Sequence, residues 1–283
     1  MNCRICGSKV VSLRYKKSFF DIYRCEGCGV LFAGKLPNKK RLADIYTEGY
    51  YAAWNISQET EVMKRMTFSS YLSVLEDYVD LEKKSLLDIG CATGYLLCEA
   101  KKRGCDCYGV ELNPYGFKEA SKRFPGRIFG GKVEDAGYKD KYFDIVTMVD
   151  LIEHTTHPVL VLQEVRRVLK DNGCVLMITP NVGGGWARIL GGNWTNFKEE
   201  HLYYFNSRSI KKLAQLAKMK VVFEKPVVKY LTLGYIYSQL MTYETPVLTQ
   251  VARLFNRLPK AVKEISFPIM TGDFLVVMKK DLG

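Results

Sequence analysis

The chain has 283 residues, 47% of them hydrophobic and 12% aromatic, enough for one large α/β domain with a small appendage and too apolar for global disorder. Lys and Arg total 42 against 30 Asp and Glu, a net charge of +12, and much of that excess lies within residues 1–41. A basic surface attracts nucleic acid, anionic membrane or phosphorylated substrates, and charge alone does not choose among them.

The stretch YLTLGYIYSQLMTY at 230–243 is too short and too polar to span a bilayer, which needs about 20 apolar residues. No apolar leader opens MNCRICGSKV, and the nine cysteines are an odd number, so a reducing cytoplasm is the expected location. Peripheral contact with the inner membrane face stays open.

Cys3, Cys6, Cys25 and Cys28 read C-x2-C-x18-C-x2-C. Each pair fits a knuckle turn, with Gly7 and Gly29 following where a positive φ is useful. Four thiolates at this spacing predict a closed tetrahedral Zn2+ site, structural because it offers no open position. The alternatives are a redox CxxC or unrelated cysteines. The intervening VVSLRYKKSFFDIYRC has the composition of a β-hairpin, giving a zinc ribbon over 1–36.

Residues 37–82 form a linker. Pro37-Asn38 signals a helix start, and Tyr46, Tyr50 and Tyr51 cluster before a second helix over 59–80. In that helix Val62, Met66, Tyr71, Leu72, Leu75 and Val79 are the expected buried positions. The tyrosines read simply as packing groups.

From 83 the chain alternates strands and helices. SLLDIG is a strand, CATGYLLCEAKKRG a helix ending at Gly104, and CYGVEL the next strand. There follow a helix near 114–123, strands RIFGG and FDIVTMVDLIEH, helix PVLVLQEVRRVLK and strand GCVLMITPN. This order implies a parallel sheet covered on both faces. The glycines of Asp88-x-Gly90-x-x-x-Gly94 let backbone approach a ligand at the carboxyl end of the first strand. The acidic Glu111 ending the second can accept both hydroxyls of a ribose. The full GxGxxG of dinucleotide enzymes is missing.

Over about 84–225, and again at the last strand, the chain resembles the class I S-adenosylmethionine-dependent methyltransferases. The stretches that carry the likeness are LLDIGCATGYLL, GVELNPYG, GKVEDAGYKDKYFDIVTMVDLIEHTTHP, EVRRVLKDNGCVLMITPN and HLYYFNSRSIKKLAQLAK. The resemblance implies an α/β Rossmann-like methyltransferase fold, with a seven-stranded, mostly parallel sheet and helices on both faces. It implies S-adenosyl-L-methionine as cofactor, with Asp88, Gly90, Cys91 and Gly94 around the methionine part and Glu111 and Leu112 at the ribose. Val133 and Glu134 would lie near adenine and Asp150 beside the sulfonium. Ala92 and Lys132 depart from the usual Gly and Asp.

The ribbon, YTEGYY and GGNWTNFKEEHLYYFNSRS resemble a narrower branch of zinc-ribbon enzymes, including sugar C-methyltransferases and enzymes of polysaccharide biosynthesis. In that branch the tyrosine segment, here Tyr50 and Tyr51, covers the cofactor. His201 matches its general base, with Glu200 orienting it and Tyr204 nearby. The sugar enzymes carry a further C-terminal domain not expected here, so substrate identity does not transfer.

Glu153-His154 reads as structural and His157 as a loop residue. Trp186 and Trp194, in a long glycine-rich loop, are read as lid and acceptor pocket. Residues 227–265 are expected as a helical insertion before the last strand, with Leu248, Val251, Leu254 and Phe255 on one helix face. It would be a packed helix pair, a cap over an amphiphilic acceptor, or an interfacial membrane contact.

The expected function is methyl transfer to a small-molecule, sugar or lipid-linked glycan acceptor, phosphorylated or not. RNA methylation at a ring nitrogen or ribose is the alternative, less favoured because the fourth strand lacks an Asn/Asp-Pro-Pro-aromatic motif and no Pro-Cys supplies a nucleophile. A non-catalytic S-adenosylmethionine-binding or protein-interaction module is the other. Acceptor atom and oligomeric state are not legible.

Overall fold

A computed structural model of the chain describes residues 1–36, 58–241, 259, 262 and 265–283. The expected tyrosine segment with Tyr50 and Tyr51, and the expected helix around 248–255, lie outside the described residues.

The cysteine-bearing segment forms β1 (Val11–Lys16), β2 (Asp21–Cys25) and β3 (Leu31–Ala33), paired antiparallel in that order. Each knuckle closes as its residues require. The Gly7 and Gly29 N–H groups donate to the carbonyls of Cys3 and Cys25, and both glycines take positive φ, 73° and 80°. All three residues of β3 are buried, so this edge needs a partner. It finds one far along the chain: β9 (Tyr203–Tyr204) pairs antiparallel with β3, Leu31 opposite Tyr204 and Phe32 opposite Tyr203. An edge that would otherwise expose apolar backbone is thereby closed.

The main sheet holds seven strands. In spatial order they are β10 (Met219–Thr232), β11 (Ser266–Lys280), β8 (Leu169–Pro180), β7 (Phe143–Val149), β4 (Ser85–Ile89), β5 (Asp106–Glu111) and β6 (Ile128–Gly130). Pairing is parallel from β8 to β6, and β11 runs antiparallel to both of its neighbours. From β4 the chain builds outward through β5 and β6, then returns to add β7 on the other side. The strand order therefore reverses between β4 and β7, where open α/β sheets leave a crevice for ligands.

Alternate strand residues feed two cores, as the pleat demands. Leu87, Ile89, Val146 and Met148 join residues of α4 (Pro158–Val168) and α6 (Ser207–Leu216) on one face. Leu86, Ile145 and Leu176 join α1 (Gln58–Glu76), α2 (Tyr95–Lys102) and α3 (Pro114–Arg123) on the other. The caps follow the sequence. Asn113 accepts the Tyr115 and Gly116 N–H groups ahead of Pro114, and Asn206 and Ser209 form a reciprocal capping box on α6.

Two expectations differ from the structure. In α1 the buried positions of the first turns are Met63 and Thr67, whereas Val62 and Met66 are exposed; the helix rotates to lay Thr67 Oγ1 on the Tyr230 N–H of β10. The strands flanking the expected 227–265 insertion extend into it, pairing as far as Thr232 opposite Ser266. Outside the core this ribbon is mostly half-buried, so it lacks the apolar alternation that marks a strand in sequence. A short helix, α7 (Leu233–Met241), follows. Among the described residues no helix is long and apolar enough to cross a membrane.

Candidate active site

The carboxyl ends of β4, β5 and β7 carry one acidic residue each, and the turns after them bend sharply. Gly90 and Gly94 have φ of 75° and 84°, Ala92 47° and Asp150 49°. For Ala92 and Asp150 such values store strain that surrounding structure must hold. The Gly90 and Cys91 N–H groups both donate to the Val110 carbonyl, at 2.8 and 3.1 Å. A Cβ built on Gly90 would stand 3.0 Å from Leu151 Cδ1, so the β4–α2 turn lies directly against the turn after β7. That close approach is what the glycine permits.

Glu111 is buried at the end of β5. Its carboxylate accepts the Ala92 N–H at 2.8 Å and the Asn113 N–H at 2.7 Å. Burial raises its carboxyl above the usual range, and those two amides oppose the rise. Glu111 thus ties the two glycine-side turns together, a bracing role that the motif alone does not reveal. Asp88 is also buried, and Thr147 Oγ1 donates to its Oδ1 at 2.7 Å. Burial pushes Asp88 up to about 7, against the pull of the Thr147 hydroxyl. Cys91 is buried and its thiol is pushed up by burial. Leu112 is exposed at the rim, while Val133 is buried and Glu134 exposed in a short 3-10 turn past β6.

Beyond β7 the structure gathers a second cluster. Glu153, His154 and His201 each bring one polar atom within 4.8 Å of the others, a separation that would also suit a cation. The His154 and His201 rings meet edge to face at 4.7 Å. His154 Nδ1 lies 3.0 Å from the Glu200 carbonyl and His201 Nδ1 2.9 Å from that of Asn196. A ring nitrogen against a carbonyl must carry the hydrogen, so His201 Nε2 is left as a lone-pair acceptor. Burial keeps both rings neutral: His154 is lowered to about 4, and His201 well below its ordinary value, with His154 and Lys198 adding to the effect. Glu153 Oε2 accepts from Thr179 Oγ1 at 2.9 Å, while the buried Oε1 has no protein partner among the described residues. Burial, then the Asp150 charge, pushes the Glu153 carboxyl well above its usual range.

The expected trio of Glu200, His201 and Tyr204 is placed unevenly. Glu200 meets His154 through its backbone carbonyl. Tyr204 turns into the ribbon interface, its ring against Phe197 at 4.8 Å and its hydroxyl donating to the Lys198 carbonyl. Trp194 packs fully buried in that interface, and Trp186 on α5 (Gly185–Leu190) is exposed, its Nε1–H donating to the Met270 carbonyl. Asp150 takes an ion pair from Lys229, 3.1 Å away, and Lys229 pairs in turn with Asp273 at 2.8 Å. Nothing in the linear pattern flags Thr147, Thr179, Lys229 or Asp273, because their partners are 26 to 79 positions distant.

In the ribbon the four sulfurs lie within 4.8 Å of one another, with Cys3–Cys28 at 3.7 Å and Cys6–Cys25 at 3.5 Å. A tetrahedron with metal–sulfur bonds of about 2.3 Å separates its sulfurs by about 3.8 Å. The Cys28 hydrogen bond draws the Cys3 thiol down to about 5.

A family model described as a methyltransferase domain matches residues 63–222, more than half of the chain. The ubiquinone biosynthesis O-methyltransferase of Nitrosomonas europaea is 28% identical over 119 residues, which is 37% of this chain and 49% of that protein. Norajmaline N-methyltransferase of Rauvolfia serpentina is 30% identical over 151 residues, 49% of this chain and 51% of that protein. The chain thus spans about half the length of the curated relatives it matches. Among solved structures, a possible histamine N-methyltransferase from Thermotoga maritima aligns with a TM-score of 0.53 and 19% identity, covering 82% of this chain and 95% of that one. A Haloferax volcanii complex between the Trm112 methyltransferase activator and a putative methyltransferase aligns at TM-score 0.57 and 14% identity, covering 87% and 99%. At these identities the structural likeness speaks for the fold.

Proposed function

The chain belongs to the S-adenosylmethionine-dependent methyltransferases, and from that premise we propose that it methylates a small-molecule acceptor, sugar-like or otherwise hydroxyl-bearing, with His201 as general base. The observation that carries this reading is the neutral His201 ring, fixed through Nδ1 with Nε2 left as acceptor, in a cluster beside Asp150. A positioned neutral imidazole takes a proton from an acceptor hydroxyl as the methyl group arrives. Glu153 and His154 buttress it without adding charge. The O- and N-methyltransferase relatives support an acceptor heteroatom.

The donor set fits the cofactor. S-adenosylmethionine carries a sulfonium and an ammonium, and the edge offers the carboxyl groups of Asp88, Glu111 and Asp150 around turns of positive φ, the tightest of them at Gly90. Asp88, Gly90, Cys91 and Gly94 would hold its methionine part, Glu111 and Leu112 the ribose, and Val133 and Glu134 the adenine. When bound, it supplies an activated methyl group; the chain supplies alignment, water exclusion and the base. The four ribbon thiols would hold a structural Zn2+, for which the sulfur spacing is the support.

The test incubates methyl-labelled donor and purified protein with separated pools of small metabolites, nucleotide sugars, lipid-linked sugars and RNA. Label in a small-molecule or glycan pool supports the reading. Label confined to RNA, with a steep salt dependence of binding, would replace it.

A further inference from the structure

Lys229 sits on β10, one position past an irregularity in its pairing with β11, where the register shifts between Pro226 and Val228. Such bulges bend a strand and re-aim the side chains beside them. The result is a lysine reaching over the sheet edge to two acids from other strands. Its Nζ lies 2.8 Å from Asp273 Oδ2 and 3.1 Å from Asp150 Oδ2. Asp273 is buried and itself held by the Thr271 hydroxyl at 2.6 Å. Burial opposes the charge on Lys229, yet Asp150 and then Asp273 outweigh it and hold the ammonium well above its ordinary value.

Asp150 needs such an anchor. It has no Gly to relax its φ of 49°, and its side chain is exposed at the rim. Its neighbour Leu151 packs on Gly90 of the donor cradle, and Glu153 of the acceptor cluster follows three positions on. Left alone, an exposed aspartate at a strained turn would sample several rotamers. The Lys229 ammonium, anchored on buried Asp273, fixes one.

We propose that Lys229 is a positioning residue for methyl transfer, clamping the Asp150 carboxylate at the junction between donor cradle and acceptor cluster. The inference rests on the proposed donor site, and it assigns a task to a strand that the glycine motif does not reach. Held in one place by Lys229, the Asp150 carboxylate faces the donor's cationic group and so favours it over the neutral product, an advantage that a freely rotating carboxylate loses even though removing Lys229 adds negative charge. Tyr71 Oη, buried near the same ions without a hydrogen-bond partner among the described residues, marks the floor beneath this clamp.

The experiment measures calorimetric affinity for S-adenosylmethionine and S-adenosylhomocysteine, which differ by one methyl group and one positive charge. Lys229→Met should lower the preference for the charged ligand by about tenfold, the scale of one charge-assisted contact. Binding of S-adenosylhomocysteine should hold. Lys229→Arg should restore most of the preference. Asp150→Asn should show the same loss, and the double variant Lys229→Met/Asp150→Asn should lose no more than either alone. An unchanged or increased preference in Lys229→Met, or additive losses in the double variant, overturns the clamp. Should Lys229→Met fail to fold, Lys229→Gln takes its place and is read against Asp150→Asn and the double variant in the same way. Wild-type protein that binds neither ligand would instead sink the donor-site reading on which the clamp depends.

Discussion

Phe32 of the cysteine ribbon lies opposite Tyr203 of the main domain in an antiparallel ladder, two residues past His201. The Leu202 carbonyl accepts the Ala33 N–H at 3.0 Å, and its own N–H donates to Glu153 at 2.8 Å. The histidine segment is therefore sandwiched between the ribbon and the end of β7. A small metal-dependent ribbon folds only while its ion is bound, so the metal would reach the histidine segment through this ladder and the side chains packed across it.

The first prediction follows from that contact. Purified protein should carry about one zinc per chain by elemental analysis. Chelation should expose the four ribbon thiols and abolish turnover while leaving donor affinity largely intact, since the cradle sits on β4 and β5. Metal-free protein with four reactive N-terminal thiols and full activity would contradict both the ion and its reach.

Glu111 carries two loads. Replacing it with Ala removes the proposed ribose acceptor and leaves the half-buried Ala92 amide and the buried Asn113 amide without their carboxylate. An unmet buried N–H costs about 1–3 kcal/mol. Glu111→Ala should therefore lower the melting temperature of the ligand-free protein and weaken donor binding by tens-fold or more. Equal melting of the two proteins would mean the brace is dispensable; equal affinity would move the ligand elsewhere.

Much of this architecture was legible because it is local. The strand–glycine–helix order, the CxxC spacing and the helix start at Asn113-Pro114 are set by neighbours in sequence. What stayed hidden depends on distant partners. HLYYF is read in sequence for its candidate base, but its two tyrosines complete the ribbon sheet, and no periodicity in a two-residue strand could say so. Tyr204 faces that interface through this pairing. Glu153, read as structural beside His154, meets His201 in one cluster because the β7 turn folds under that histidine. In α1 the face turned inward carries Met63 and Thr67, which accept the Thr232 and Tyr230 N–H groups of β10, and these distant contacts leave Val62 and Met66 outside.

His201→Ala should leave donor affinity nearly unchanged and slow methyl transfer by about a hundredfold or more, the usual scale for a positioned base. The wild-type pH profile supplies an independent check. Burial holds the imidazole well below its ordinary 6.5, so the base is already unprotonated at neutral pH. The rate should stay level as pH falls through the usual histidine range and decline only in stronger acid. A midpoint near 6.5 belonging to His201 would show a ring exposed to water, and wild-type rates in the variant would return it to packing.

Asp88 gives the sharpest pH test. Its carboxyl is buried, and burial lifts it from 3.8 to about 7 even though Thr147 donates to it. The folded chain then holds this proton more tightly than the unfolded chain does. The stability that comes with it is fully present below the unfolded value near 4 and is lost as pH rises through about 7. Ligand-free wild-type protein should accordingly lose melting temperature relative to Asp88→Asn between about pH 4 and 7, because the amide has no proton to give up. A cationic donor favours the ionised carboxylate, so its binding below about pH 7 should release a proton, visible as a calorimetric enthalpy that changes with the ionisation heat of the buffer. In Asp88→Asn that release should vanish and donor affinity should fall. Parallel melting curves for the two proteins, with buffer-independent binding heats in the wild type, would mean that Asp88 is ionised from the outset and that burial does not govern its charge.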